Sequence, residues 1–175
     1  MAPGLIVADI MGPGLIVAGI LILFLLVIIA SGMFTVQQQT HAVVECFGRF
    51  RKISPPGLNF KWPLIESIAG RVTHRVQELE IKVESKTKDD VFVDLIIAVQ
   101  YYVPENPEAV RSAFYRLTNP RQQISSYVFD TVRALVPDMA VDHVFAEKDK
   151  IAQAVKDRLQ DTMQQFGFTI LQSPV

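Results

Sequence analysis

The hydrophobic pattern divides the chain into one unbroken apolar run near the N-terminus and alternating patterns beyond it. No Asp, Glu, Lys or Arg occurs between Asp9 and Glu45. Residues 14–34 of that interval are almost wholly apolar, and a helix of this length spans roughly 30 Å, the hydrocarbon thickness of a bilayer. Lipid leaves unpaired backbone groups unsatisfied, so a lone span must be helical despite its many β-branched residues. We therefore predict a membrane anchor over residues 13–34, represented by Leu15, Ile22, Phe24, Leu26 and Ile29.

A cleaved signal peptide is the alternative interpretation of this run. The small residues 30–32, Ala-Ser-Gly, are typical of a cleavage site. However, no Lys or Arg precedes the run, and it is longer than the usual signal core of about 7–15 residues. The pattern favours a retained anchor. Basic residues follow it at Arg49, Arg51 and Lys52, so the positive-inside bias predicts a single-pass protein whose following domain is cytoplasmic.

The first ten residues are repeated, with two changes, by residues 11–20. One change replaces Asp9 of the first copy by Gly19 of the second. A carboxylate in the middle of a span costs about 2.5–3.5 kcal/mol, so the first copy is predicted to remain outside the membrane as a tail, residues 1–12. Deleting residues 1–10 is expected to leave insertion intact in a membrane-fractionation assay. Loss of insertion would show that the first copy contributes to the anchor.

A second apolar feature is the proline-rich segment 55–65. Its three prolines and one glycine exclude a helix. The segment nevertheless carries large apolar side chains, so two interpretations are open: a loop packed under a sheet, or a second membrane contact with Trp62 at the level of the headgroups. The short tether to the anchor favours the second, because it keeps the domain close to the bilayer. The predicted contact residues are Leu58, Phe60, Trp62 and Leu64.

The rest of the chain has the periodicity of strands followed by helices. Residues 35–50 are predicted to be extended with a turn near Gly48, and alternation over 79–83 and 91–103 predicts a hairpin whose second strand is apolar on both faces. Asn-Pro pairs at 106–107 and 119–120 predict two helix starts. A longer helix follows, with apolar residues every four positions from 151 to 163, and then a short strand. This order predicts an α+β domain.

Residue types that carry chemistry are sparse and scattered. The net charge of -1 gives no reason to expect a nucleic-acid partner. His41, His74 and His143 have no metal-ligand spacing, and no catalytic or nucleotide-binding motif occurs. Cys46 is the single cysteine, so it forms no intrachain disulfide; a buried thiol, a lipidation site and a hydrolase nucleophile are its three interpretations. We expect no catalytic residue, metal or cofactor.

Three stretches together resemble a known family. They are ECFGRFRKISPPGLNFKWPLIE, the KTKDDVFV hairpin and NPRQQISSYVFDTVRALVP. They are similar to the SPFH family of stomatins, prohibitins, flotillins and HflK/C proteins, and in particular to hypersensitive-induced reaction proteins. The resemblance implies an SPFH, or band 7, domain over residues 35–175. It also implies a non-enzymatic scaffold in which the segment matching residues 55–65 touches the membrane.

The resemblance further implies partners. Family members assemble into large homo-oligomeric rings or cages, organise membrane microdomains and often restrain membrane proteases of the FtsH type. The leading hypothesis is therefore a scaffold that assembles laterally on the bilayer, and the rival is a regulatory subunit dedicated to one such protease. In the family a coiled-coil helix continues beyond the position of Val175. We therefore expect ring formation to depend on a segment that this chain does not contain.

Overall fold

One long helix, α1 (Gly4–Gly32), leads directly into the first strand of the domain, β1 (Met33–Val36). The structure is a computed structural model that describes the backbone of residues 4–172 and the side chains of residues 14–172. The apolar part of α1, Gly14–Gly32, is long enough to cross a membrane, and the described chain leaves it exposed except near its C-terminal end, where Gly32 is buried. The helix ends two residues before the expected end of the anchor, because Met33 and Phe34 pair with another strand. At its N-terminal end, α1 includes the backbone of residues 4–12, which the sequence analysis assigned to the tail.

Two small antiparallel sheets follow α1. Their further strands are β2 (Thr40–Cys46), β3 (Arg49–Ser54), β4 (Gly57–Phe60) and β5 (Glu66–Thr73). β1 pairs with β4 in a two-stranded ribbon, and the second sheet has the strand order β3-β2-β5. The turn expected near Gly48 is confirmed as the link between β2 and β3. The proline-rich segment is less irregular than expected, since β4 lies within it.

The predicted hairpin is confirmed as β6 (Gln77–Lys86) and β7 (Phe92–Tyr102), and β8 (Thr169–Gln172) pairs with the far edge of β7. β7 is the central strand, as its two apolar faces predicted. Its outer face, however, stays uncovered by the described chain: Phe92 is 67% and Ile96 60% exposed. Its inner face is buried at Leu95, Ile97, Val99 and Tyr101.

Four α-helices and the short 3-10 helix Val136–Asp138 connect β7 to β8, and the Asn-Pro signals correctly place the first two α-helices. Asn106 Oδ1 accepts a hydrogen bond from Glu108 N at 3.0 Å, and Asn119 Oδ1 accepts one from Gln122 N at 3.3 Å. The short helix α4 lies in what the sequence indicated as a link, because six residues are too few to show a helical period. The helices are α2 (Pro107–Tyr115), α3 (Pro120–Leu135), α4 (Val141–Ala146) and α5 (Lys148–Gln164).

The core lies between the inner face of the β6-β7-β8 sheet and the apolar stripes of α3 and α5. The stripe predicted from the sequence for α5 is the buried one, since residues three or four apart share one face of a helix. Tyr101 and Phe168 pack edge to face in the same core, with ring centroids 6.1 Å apart. The buried helical residues are Ile124, Val128 and Val132 of α3 and Ile151, Val155, Leu159 and Met163 of α5.

Replacing Gly167 by alanine is expected to destabilise the domain through two effects. Gly167 lies in the turn after α5 with φ +82°, and a Cβ there would overlap the carbonyl oxygen of Ala109. The left-handed conformation alone costs an alanine about 1–2 kcal/mol. Gly48→Ala is the matched control, because Gly48 has φ +77° but open space around it. Urea unfolding should show the larger loss for Gly167→Ala; equal losses would contradict the close approach to α2.

Candidate membrane-contact site

The junction between α1 and the domain is held by a direct contact with the proline-rich segment. Lys61 N donates a hydrogen bond to the carbonyl oxygen of Gly32 at 2.8 Å. Gly32 also lies against the ring of Phe60, and a Cβ at Gly32 would come within 2.5 Å of both that ring and the Lys61 carbonyl oxygen. Met33 pairs with Phe60 in the β1–β4 ribbon. The end of the apolar helix is therefore fixed to the segment.

A tight turn follows β4 and aims the apolar side chains outward. The backbone N–H groups of Ile65 and Glu66 both donate to the carbonyl oxygen of Trp62, at 3.2 and 2.8 Å. In the reverse direction, Trp62 N donates to Glu66 Oε2 at 2.9 Å. These three bonds close the backbone of the turn around Pro63, which cannot donate one itself.

The carboxylate that closes this turn is buried and compensated. The side chain of Glu66 is 1% exposed, and its Oε1 lies 2.7 Å from Arg51 Nη1. Arg51 has no partner in the strand register, which passes from Lys52 to Phe50 between Val44 and Glu45 of β2. Such a bulge redirects a side chain, and here Arg51 meets the buried charge. A buried carboxylate without these partners would cost several kcal/mol, so the pair stabilises the shape of the segment.

The structure contradicts the interpretation of the segment as a loop packed under a sheet. Its large apolar side chains are exposed by 42–87%, and the described domain does not cover them. Phe60 and Trp62 contact each other edge to face, with ring centroids 6.2 Å apart. Contact of this segment with a membrane remains a prediction. Its side chains are Leu58, Phe60, Trp62 and Leu64, with Ile65 beside them.

Basic side chains frame the apolar segment. Lys52 Nζ donates to the carbonyl oxygen of Phe60 at 2.8 Å, and Lys61 Nζ approaches that of Glu66 at 3.5 Å. Lysine, tryptophan and phenylalanine together are typical of the boundary between lipid and water, where amines meet phosphates and rings lie below them. The anchor residues predicted from sequence, from Leu15 to Ile29, lie on the exposed surface of α1 that continues from this segment.

Two of the three scattered histidines are brought together, which sequence reasoning missed. His41 on β2 and His74, after β5, lie ring to ring with centroids 4.5 Å apart, and His41 Nδ1 is hydrogen-bonded to His74 Nε2. His74 Nδ1 is bonded to the carbonyl oxygen of Val103 at 2.7 Å. The pair therefore links the β2 sheet to the end of β7. Only the strand pairing creates this contact, so no local spacing could have revealed it.

The histidine pair is expected to make stability depend on pH. Burial, followed by the neighbouring His74, lowers the pKa of His41 below the ordinary 6.5, and Glu105 opposes this shift. The unfolded chain therefore takes up a proton at higher pH than the folded chain, and the free energy of unfolding should fall as the pH drops below about 6.5. Urea unfolding between pH 7.5 and 5 measures the effect. His41→Gln should flatten this dependence, and an unchanged dependence in that variant would contradict the role of His41.

The other candidates from the sequence were the Cys46 thiol and possible metal ligands. Cys46 is a free, partly buried thiol at the end of β2. Within residues 14–172, no three His, Cys, Asp or Glu side chains are grouped so as to hold a metal ion. The features that stand out are instead the exposed apolar helix and the apolar segment bonded to its end.

Comparison with known proteins agrees with this architecture. The model of the SPFH domain / Band 7 family matches residues 34–173. Hypersensitive-induced response protein 4 of Arabidopsis thaliana is 43% identical over 136 residues, which are 77% of this chain and 46% of that protein. Two relatives are each 28% identical: the modulator of FtsH protease HflK of Escherichia coli, over 81% of this chain and 34% of its own length, and a stomatin homologue of Pyrococcus horikoshii, over 86% and 55%.

The chain thus spans about half or less of the length of each of these relatives. Within that span, the family model begins where α1 gives way to β1 and extends past the end of β8. The match therefore includes the strands, the helices and the apolar segment described above. By the extent of this match and the identity to its relatives, the chain belongs to the SPFH domain / Band 7 family.

Proposed function

We propose that this chain is a non-enzymatic membrane scaffold, held by α1 and assembled laterally with copies of itself to organise the membrane around it. The observation that carries the proposal is the junction at Gly32, where the apolar helix is bonded to Lys61 of the exposed apolar segment. A bilayer that contains α1 must then meet that segment. Membership of the SPFH family, whose members are generally scaffolds, supports the absence of a catalytic role.

Contact with the bilayer would add to the anchoring and would set the orientation of the domain. Fully burying a Leu, Phe or Trp side chain contributes about 1.5–3 kcal/mol, and the exposed residues Phe60, Trp62 and Leu64 would gain part of that each. The attachment to α1 keeps them at a high local concentration near lipid, so even a weak contact would persist. Copies that the bilayer holds at the same depth and tilt lose less translational and rotational entropy on assembling than domains free in solution do.

The outer face of β7 is the lateral surface that the fold leaves available. Phe92 and Ile96 are exposed there, and they share this face with the charged side chains of their strand partners on β6, Lys86 and Lys82. Large exposed apolar side chains rimmed by charged ones are typical of an interaction surface. Direct addition of a strand to the edge of β6 is disfavoured, because charged residues alternate along it. We therefore place the contact between copies on the face of this sheet.

Particle size after gentle detergent extraction tests the scaffold. Electron microscopy of the full-length protein is expected to show a large ring or cage. Phe92→Ser with Ile96→Ser should shrink it, whereas Phe145→Ser, at another exposed phenylalanine on α4, should not. A monomeric particle from the unmodified protein would contradict the proposal.

A second candidate function is regulation of one membrane protease, favoured by the likeness to a relative named as a modulator of FtsH protease. This alternative requires a stoichiometric complex with a single protease of the FtsH type. Purification from membranes distinguishes the two functions. One protease at equal stoichiometry, without a large homo-oligomer, would support the regulator over the scaffold.

We also place the domain on the cytoplasmic side of the membrane. The support is the basic group Arg49, Arg51 and Lys52, close after the span, against Asp9 on the other flank. Protease digestion of sealed, right-side-out vesicles is expected to leave the domain intact. Cleavage in intact vesicles would place it on the opposite side.

A further inference from the structure

The turn between β2 and β3 has a conformation that its sequence does not favour. Phe47 and Gly48 join the two strands with φ +48° and +77°, and Cys46 pairs with Arg49 beside them. Two-residue hairpin turns with two positive φ angles prefer Asn-Gly, because most side chains resist the left-handed region. A phenylalanine in this position is strained. Its side chain is 82% exposed, so packing within the domain does not explain why it is there.

Strand pairing places this turn at the same end of the domain as the apolar segment. Cys46 pairs with Glu66 at the start of β5, so the turn extends one residue beyond that level. Glu66 is itself hydrogen-bonded to Trp62. Phe47 and Trp62 therefore lie in turns at the same end of the β3-β2-β5 sheet, and this end is the one bonded to α1 through Lys61 and Gly32.

The charge around the turn suits a negatively charged surface. From residue 45 to residue 66 there are four basic side chains (Arg49, Arg51, Lys52 and Lys61) and two acidic ones (Glu45 and Glu66), a difference of +2. Both acids are already engaged: Glu45 accepts a hydrogen bond from the Tyr115 hydroxyl, and Glu66 pairs with Arg51. Arg49 directly follows the turn and is exposed.

We propose that the Phe47–Gly48 turn is a separate bilayer contact, with Phe47 among the lipid chains just below the headgroups and Arg49 at the phosphates of anionic phospholipids. The strain at Phe47 is then offset by its transfer out of water. The inference rests on the proposed function, since it requires α1 to lie in a bilayer. Its consequence is a fixed tilt: the helix, the apolar segment and the turn hold the domain against the membrane at separate places.

Moving the tryptophan tests the proposal. Trp62 is the single tryptophan of the chain, so Trp62→Phe with Phe47→Trp transfers the fluorophore to the turn. The complete protein is reconstituted in phosphatidylcholine vesicles with 30% phosphatidylglycerol, whose acyl chains are brominated near the headgroup. We expect blue-shifted emission from position 47 and strong quenching by the brominated chains. Emission typical of water, without quenching, would overturn the proposal.

A matched control sits at the opposite end of β2. Gln38 is exposed in the turn that precedes this strand, about 20 Å from Phe47 along seven extended residues. Trp62→Phe with Gln38→Trp should show no quenching in the same vesicles. Equal quenching at positions 38 and 47 would count against the proposal, because it would reflect non-specific adsorption.

Two further readouts separate this inference from the proposed function and test the role of charge. The unmodified protein reports on Trp62: quenching there without quenching at position 47 overturns the turn contact alone, whereas quenching at neither position overturns the proposed function as well. Removing phosphatidylglycerol should reduce quenching at position 47, and Arg49→Gln should abolish that dependence on lipid charge. If neither change alters the quenching at position 47, the proposed role of Arg49 is contradicted. Phe47→Asn, which suits the turn, should fold normally.

Discussion

The double substitution Leu23→Arg with Leu26→Arg is expected to abolish membrane insertion of the chain. Both leucines lie in the middle of the apolar part of α1, three residues apart on one side of the helix, and both are exposed. An arginine at the centre of a span costs about 2.5–3.5 kcal/mol, and α1 contacts no group of the described domain that could compensate it there. The double change should remove most of the free energy of insertion.

Alkaline carbonate extraction of membranes measures this effect. The unmodified protein should remain in the pellet and the double arginine variant should appear in the supernatant. Alanines at the same two positions are the control for altered packing, and they should leave the protein in the pellet. A double arginine variant that stays in the membrane would show that α1 is not the anchor.

Ile97→Ala is expected to cost the domain about 2–5 kcal/mol, the range for removing a large side chain from a core. Ile97 is fully buried in the middle of β7, where it faces the α3 and α5 stripes. Its neighbour Ile96 points to the other face and is 60% exposed. Ile96→Ala is therefore the matched control, with an expected change within about 0.5 kcal/mol.

Urea unfolding of the complete protein in detergent, followed by circular dichroism, compares the two variants. The measurement should be made at a protein concentration low enough to dissociate the copies, because Ile96 lies on the proposed lateral surface. Equal losses would mean that both faces of β7 are covered within one copy, and that outcome would contradict the register found here. A large loss for Ile97→Ala alone agrees with it.

Features encoded by a local period were predictable from the sequence. The four-residue spacing from Ile151 to Met163 specified the buried face of α5, and strict alternation specified the inner face of β7. Asn106 and Asn119 marked the helix starts, because a side-chain acceptor at the N-cap followed by proline suits the first turn of a helix. The helix α4 has neither a full period nor a side-chain cap, so nothing in the sequence distinguished it from a loop.

Contacts between distant residues were not predictable in the same way. The apolar content of residues 55–65 indicated an unusual segment, but its exposure depends on pairing between β1 and β4, more than twenty residues apart. The bond between Gly32 and Lys61 and the meeting of His41 with His74 have the same origin. Such pairings depend on which strands lie side by side in the folded domain. The sequence therefore indicated a membrane-contacting segment but not the hydrogen bond that attaches this segment to the anchor helix.

The depth of Trp62 in a bilayer tests the central claim, that α1 and the segment bonded to its end share one membrane surface. The residue is the single tryptophan and is 55% exposed in the domain, so its fluorescence reports on this place alone. In vesicles with lipids brominated near the headgroup, we expect blue-shifted emission, strong quenching by bromine and protection from aqueous iodide. Emission typical of water, insensitive to brominated lipid and quenched by iodide, would contradict the account.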